Sequence, residues 1–222
     1  MKKCSMLFAV LVINCMAMAF IKVADKETAR LNNASEVLYN FSKMKETIPH
    51  ALIAEYQGIV IIPGLINAGF VIGGKRGKGI AIVRLPGGRW SDPVFVTLTG
   101  GSLGPQIGVQ SVDLILVFRH KDVLSKVRNG DFTIGGDISA AAGPVGRTSS
   151  ANTDYKLEAE VYSYSRSRGL FAGVSINGAN LAVDKNANYT FYGPAVTSGE
   201  LFETSKNNSA GVKSLKKQLA VL

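Results

Sequence analysis

Residues 58–88 read GIVIIPGLINAGFVIGGKRGKGIAIVRLPGG, and residues 168–193 read RGLFAGVSINGANLAVDKNANYTFYG. Short β-branched runs are interrupted every few residues by glycine. Valine and isoleucine suit a pleated, half-buried surface, whereas glycine permits tight turns, bulges and close approach of two backbones. A curved or closed antiparallel sheet needs both, so this stretch sets the expected fold.

The same punctuation continues through most of the chain. Strands are expected at about 59–63, 69–74, 79–85, 94–99, 103–109 and 112–118, then, after a short helix at 121–127, at 132–140, 157–164, 169–176 and 180–184. Their tight links leave no room for repeated crossover helices, which excludes a parallel α/β sheet. Residues 24–48 instead carry Leu31, Ala34, Val37, Leu38, Phe41, Met44 and Ile48 at helical spacing, with Pro49 as a stop. Residues 209–222 place Val212, Leu215 and Leu219 on one helical face. The expected fold class is α+β, mainly β: a glycine-rich antiparallel barrel-like or strongly curved sheet with flanking N- and C-terminal helices. The β core is read as 58–193, with no domain boundary after residue 58.

Residues 1–19 read as a signal peptide: Lys2 and Lys3 form a basic start, Met6 to Ile13 an apolar segment, and Ala17-Met18-Ala19 a cleavage site. Export to the periplasm, envelope or medium is expected, with one domain over 20–222. Cys4 and Cys15 both lie in the leader, so residues 20–222 hold neither an internal disulfide nor a cysteine metal site. Val12-Ile13-Asn14 ahead of Cys15 does not resemble a lipid-attachment signal. Losing Lys2 and Lys3 takes the formal charge from +9 to +7, which still favours anionic partners.

Four ordered blocks, 59–79, 100–118, 137–147 and 167–184, resemble the SYLF lipid-binding family. The resemblance runs from about 24 to 222. It implies binding of phosphoinositide or other anionic phospholipid headgroups at a membrane surface, assisted in some members by an amphipathic N-terminal segment. No SH3-like segment occurs in the sequence given, so actin-machinery partners are not carried over, and protein partners stay unspecified.

The candidate lipid-binding residues are basic. Lys75, Arg76 and Lys78 are read as a cluster in a glycine-rich hairpin, where cations and backbone amides meet a phosphate; the plain alternative is a solvated turn. Arg166 and Arg168, two apart in an extended segment, project to the same side. Lys26 and Arg30 are spaced with Lys22 to share a helix face. That helix serves either as a core element or as a membrane-surface element, with core packing the preferred reading.

Other chemistries fit poorly. Gly69 to Lys75 has the spacing G-x-x-x-x-G-K, but Arg76 stands where a phosphate loop needs a hydroxyl, and a strand follows instead of a helix. His50 and His120 fall in no metal-ligand spacing, and no G-x-S-x-G elbow is present. Neither a cofactor nor an enzymatic activity is expected. Phe132, Tyr155, Tyr162, Tyr164 and Phe171 offer stacking surface for nucleic acid, but export argues against such a partner. Asn33, Asn40 and Asn188 open N-x-S/T triplets, which arise often by chance.

Overall fold

The structure is a computed structural model that describes residues 26–44, 48–127, 132–143, 159–167, 170–171 and 176–222, without side chains at 50–51, 70–72, 102–107, 125–126 and 171. The leader therefore lies outside the described residues, as do Lys22, Arg168 and Tyr155.

Helix α1 occupies 26–42. Its apolar stripe of Leu31, Ala34, Val37, Leu38 and Phe41 is buried, as core packing requires. The helix ends earlier than the sequence pattern suggests. Ile48 is buried in the connection that follows, and Pro49 caps the start of a second helix, α2 (His50–Glu55). Proline fits there because the first amides of a helix have no partner to lose.

The six strands expected between 59 and 118 are in fact two. Strand β1 (Gly58–Val83) and strand β2 (Val94–Phe118) form one long antiparallel hairpin. Glycine serves here to bend the ladder rather than to end it. Two irregularities do the bending. At the first, Pro63 and Gly64 oppose Asp113; Gly64 takes φ +58° and its amide donates to Asp113 Oδ1 at 3.1 Å. At the second, residues 104–106 oppose Val71 alone.

The hairpin folds back far enough for its two ends to meet. The Gln57 carbonyl accepts the Arg84 amide at 2.7 Å, and Gly77 and Gly79 lie directly on Ile61, Ile62 and Leu65. Only glycine permits backbone to cross backbone this closely. The rest of the sheet attaches to β2: strand β7 (Ala179–Val183) pairs with its first part and strand β5 (Val161–Ser167) with its last. Strands β3 (Phe132–Ile134), β4 (Ala140–Ala142) and β6 (Leu170–Phe171) complete a nearly closed, barrel-like sheet, β4 pairing in parallel with β5. The expected 132–140 strand is split by a turn in which Asp137 Oδ2 accepts the Thr133 amide at 2.6 Å.

Both faces of the sheet are covered, which explains why Ile59–Ile62, Ile80–Val83 and Leu114–Phe118 are continuously apolar rather than alternating. Ile61, Ile80, Ile82, Phe95, Ile115 and Val117 pack under α1, α2 and the last helix. Val60, Ile62, Ala81, Val96, Leu114 and Leu116 fill the other side, against helix α3 (Lys121–Val127) and the neighbouring strands.

Two C-terminal helices lie where loop and sheet residues were expected. Helix α4 (Lys185–Tyr192) is capped by Asp184, and helix α5 (Ser198–Glu203) by a reciprocal Thr197–Glu200 capping box. Asn188, the head of one N-x-S/T triplet, is buried in α4 and bonds the Phe95 backbone in both directions, so it is no glycan acceptor. Helix α6 (Ala210–Leu219) buries Val212, Leu215 and Leu219, and its Gly211 sits against Leu31 of α1.

Asp92 ties this C-terminal part to the hairpin loop. The buried carboxylate accepts from the Lys206 amide (2.8 Å), the Asn207 amide (3.1 Å) and Lys216 Nζ (3.0 Å). Replacing one charged acceptor in such a set typically costs about 2 kcal/mol, so Asp92→Asn is expected to lower stability by that amount in a denaturant titration. An unchanged midpoint would show that the C-terminal helices hold without this anchor.

Candidate functional site

Along the second half of β1, side chains alternate between the two faces of the sheet. Arg76 and Lys78 point outward and are exposed. Lys75 shares the parity of Gly77, Gly79, Ala81 and Val83 and turns inward, where it is 5% exposed. Its burial lowers the pKa below the ordinary lysine value. The predicted cluster of three cations is therefore split by the strand, and it sits in a continuous ladder rather than in a hairpin turn. The same geometry disposes of the phosphate-loop spacing, because Lys75 follows no helix-opening turn.

Arg30 of α1 and Lys78 of β1 meet at Asp184, each 3.2 Å from its Oδ2. Arg30 is nearly buried, lies 3.8 Å from Glu27, and stacks 5.1 Å above the Phe95 ring. It is a structural residue that fastens α1 to the sheet, not part of a free basic face. Lys78 keeps 54% of its side chain exposed. Burial raises the Asp184 pKa, but the Ala187 amide and the two cations outweigh it, so the carboxyl titrates below its ordinary value. Its contribution to stability is present above the unfolded-state pKa and is lost as pH falls through the lowered folded one.

Around this junction the outer surface is basic. Lys26 stands one turn before Arg30, Lys185 follows Asp184 directly, and Arg76 lies two residues, roughly 7 Å, along the strand from Lys78. Lys26, Arg76, Lys78 and Lys185 are all exposed. Sequence reading had Lys26, Arg30, Arg76 and Lys78 but not the carboxylate that gathers them. Asp184 could have been found as an N-cap ahead of the helical run at 185–192, but not as the partner of Arg30, 154 residues away.

Arg166 belongs elsewhere. It forms an ion pair with Asp113 across the β2–β5 ladder, so that one carboxylate holds both the 63–64 bulge and the neighbouring strand. His120 Nδ1 lies 2.8 Å from Glu160 Oε2. Among the described residues no group of histidines, cysteines and carboxylates is placed to hold a metal ion. Phe132, Tyr162 and Tyr164 are buried in the core, which removes them as stacking surfaces. No described helix is long and apolar enough to cross a membrane.

The Ysc84 family model, described as "Las17-binding protein actin regulator", matches residues 99–222, from the first part of β2 to the end of α6. The chain belongs to the Ysc84 (SYLF) family. Three of the four sequence blocks that carry the resemblance fall within that match, and the fourth, 59–79, is the hairpin partner of its first strand. A Xenopus laevis relative, SH3 domain-containing YSC84-like protein 1, is 34% identical over 78% of this chain and 52% of its own length. Its Homo sapiens counterpart is 35% identical over 72% of this chain and 48% of its own. LAS seventeen-binding protein 3 of Saccharomyces cerevisiae is 32% identical over 74% of this chain and 38% of its own. This Ysc84-family chain thus spans about half the length, or less, of the curated relatives it matches.

Proposed function

We propose that the protein is an exported, non-enzymatic binder of anionic lipid surfaces, either phospholipid or phosphoinositide, acting in the periplasm, in the envelope or outside the cell. The observation that carries this reading is the exposed group Lys26, Arg76, Lys78 and Lys185, which α1, β1 and α4 bring together around the Asp184 junction. The net charge, +9 for the whole chain and +7 once Lys2 and Lys3 leave with residues 1–19, adds a long-range attraction of the same sign.

Lys26→Gln, Arg76→Gln and Lys185→Gln in one chain leave the Asp184 contacts intact. Each cation near an anionic membrane is worth about 1 kcal/mol, so the triple variant is expected to bind phosphatidylglycerol vesicles on the order of a hundredfold more weakly, with a flatter salt dependence. Co-sedimentation at two ionic strengths checks it. Full retention of binding by a folded variant removes this patch from the function. A second reading, a protein-interaction module, draws on the relatives named for Las17 binding; a headgroup preference in the same assay decides against it.

A further inference from the structure

The two halves of β1 touch at Gly77 and Leu65, where a Cβ on Gly77 would lie 2.9 Å from Leu65 Cδ1. The chain between them therefore projects as the bent end of the barrel, away from the loop at 84–93. Residues 64–74 and 100–112, which form this end, contain not one charged residue in either strand. Ile66 and Val109 stand on the same outward face, diagonally across the ladder with an offset of two residues, and are 51% and 77% exposed. Leu170 of β6, 73% exposed, reaches the same end through Ser167, whose hydroxyl donates to the Ser111 carbonyl.

Large aliphatic side chains left this open on a charge-free strand pair are a cost to a surface that faces only water. Cations begin where the uncharged segment stops. The exposed Arg76 and Lys78 follow on β1, whereas on the other side Arg166 is neutralised by its ion pair with Asp113. We infer that the bent end of the β1–β2 hairpin dips into the interfacial layer of an anionic bilayer, with Ile66 and Val109 among the acyl chains and the exposed Arg76 and Lys78 at headgroup level. Charge complementarity selects this occupant, because the exposed cations that adjoin the uncharged segment on β1 match a lipid surface bearing phosphates. The antiparallel ladder satisfies the backbone along the paired edge, but the outer edge of β2 between Gly100 and Asp113 has no described strand partner. Full immersion would strand those groups in hydrocarbon, so insertion is shallow.

This inference rests on the lipid-binding reading above, and the test separates the two. Trp90 lies in the 84–93 loop at the opposite end and reports from there. In vesicles of equimolar phosphatidylcholine and phosphatidylglycerol, with chains brominated near the headgroup, Val109→Trp is expected to give a blue-shifted emission that the bromines quench. The unsubstituted protein, reporting through Trp90 alone, shows no quenching. Ile66→Ser combined with Val109→Ser is expected to weaken binding roughly tenfold at a salt concentration that screens the cations. Vesicle binding with an unquenched new indole and no loss in the serine variant overturns insertion and leaves surface adsorption standing. Absence of vesicle binding by the unsubstituted protein overturns both. Burial of the new indole by self-association without lipid assigns the patch to a second copy of this chain and also overturns the inference.

Discussion

Gly79→Ala is expected to cost about 4 kcal/mol or more, enough to leave the barrel-like sheet unfolded or only partly closed at ambient temperature. A methyl group on Gly79 would fall on the Ile61 carbonyl oxygen, with Ile61 C at 2.8 Å and Ile62 Cδ1 at 2.7 Å. Two of those atoms are backbone, so no rotamer change relieves the overlap. The strand would have to part from its own first half, opening the place where Ile61 and Ile80 enter one core and Ile62 and Ala81 the other. Gly101→Ala is the matched control. A Cβ there meets nothing within 4 Å, and stability is expected to change by less than about 0.5 kcal/mol. Urea midpoints of the two variants check the pair; equal midpoints would mean that the hairpin does not need to cross itself.

The glycines were legible as a departure from ordinary strand sequence, but their role was not. A glycine that turns the chain and one that lets two backbones touch look alike locally, and the choice depends on partners elsewhere in the sheet. For β1 the deciding contact is Gly79 against Ile61, eighteen positions apart. The continuous apolar runs at 59–62 and 114–118 held a clue, since strands covered on both faces lose their alternation. Within the candidate site, strand parity puts Lys75 on the face of Ala81 and Val83, and Arg76 and Lys78 on the face of Ile80 and Ile82. Both faces are buried further along, so parity separates the cations without telling which is covered. The hairpin reading hid this by placing all three in a turn, where parity has no meaning. Arg30 was legible as a helical cation, but its role as a fastening depended on a carboxylate far along the chain. The capping box Thr197-x-x-Glu200 was present in the sequence and marks α5.

Phe41→Asp is expected to remove about 4 kcal/mol of stability, and Leu38→Asp a similar amount, since each puts a carboxylate among apolar atoms without a partner. Both side chains are essentially inaccessible in the cluster that joins α1 to Ile61, Ile80, Ile115 and α6. The apolar stripe of α1 suits a membrane surface as well as a core, and one stripe does not serve both at once. The structure commits it to the core, where Arg30 on Asp184 and Leu31 under Gly211 fasten the helix from two sides. Hydrogen exchange across 26–42 therefore follows global unfolding in the lipid-free protein, and anionic vesicles add little further protection. A helix that exchanges freely in water and becomes protected only on vesicles would reverse this assignment. In that case the aspartate variants would keep the fold and lose vesicle binding, since the helix rather than the barrel end would carry the apolar contact with lipid.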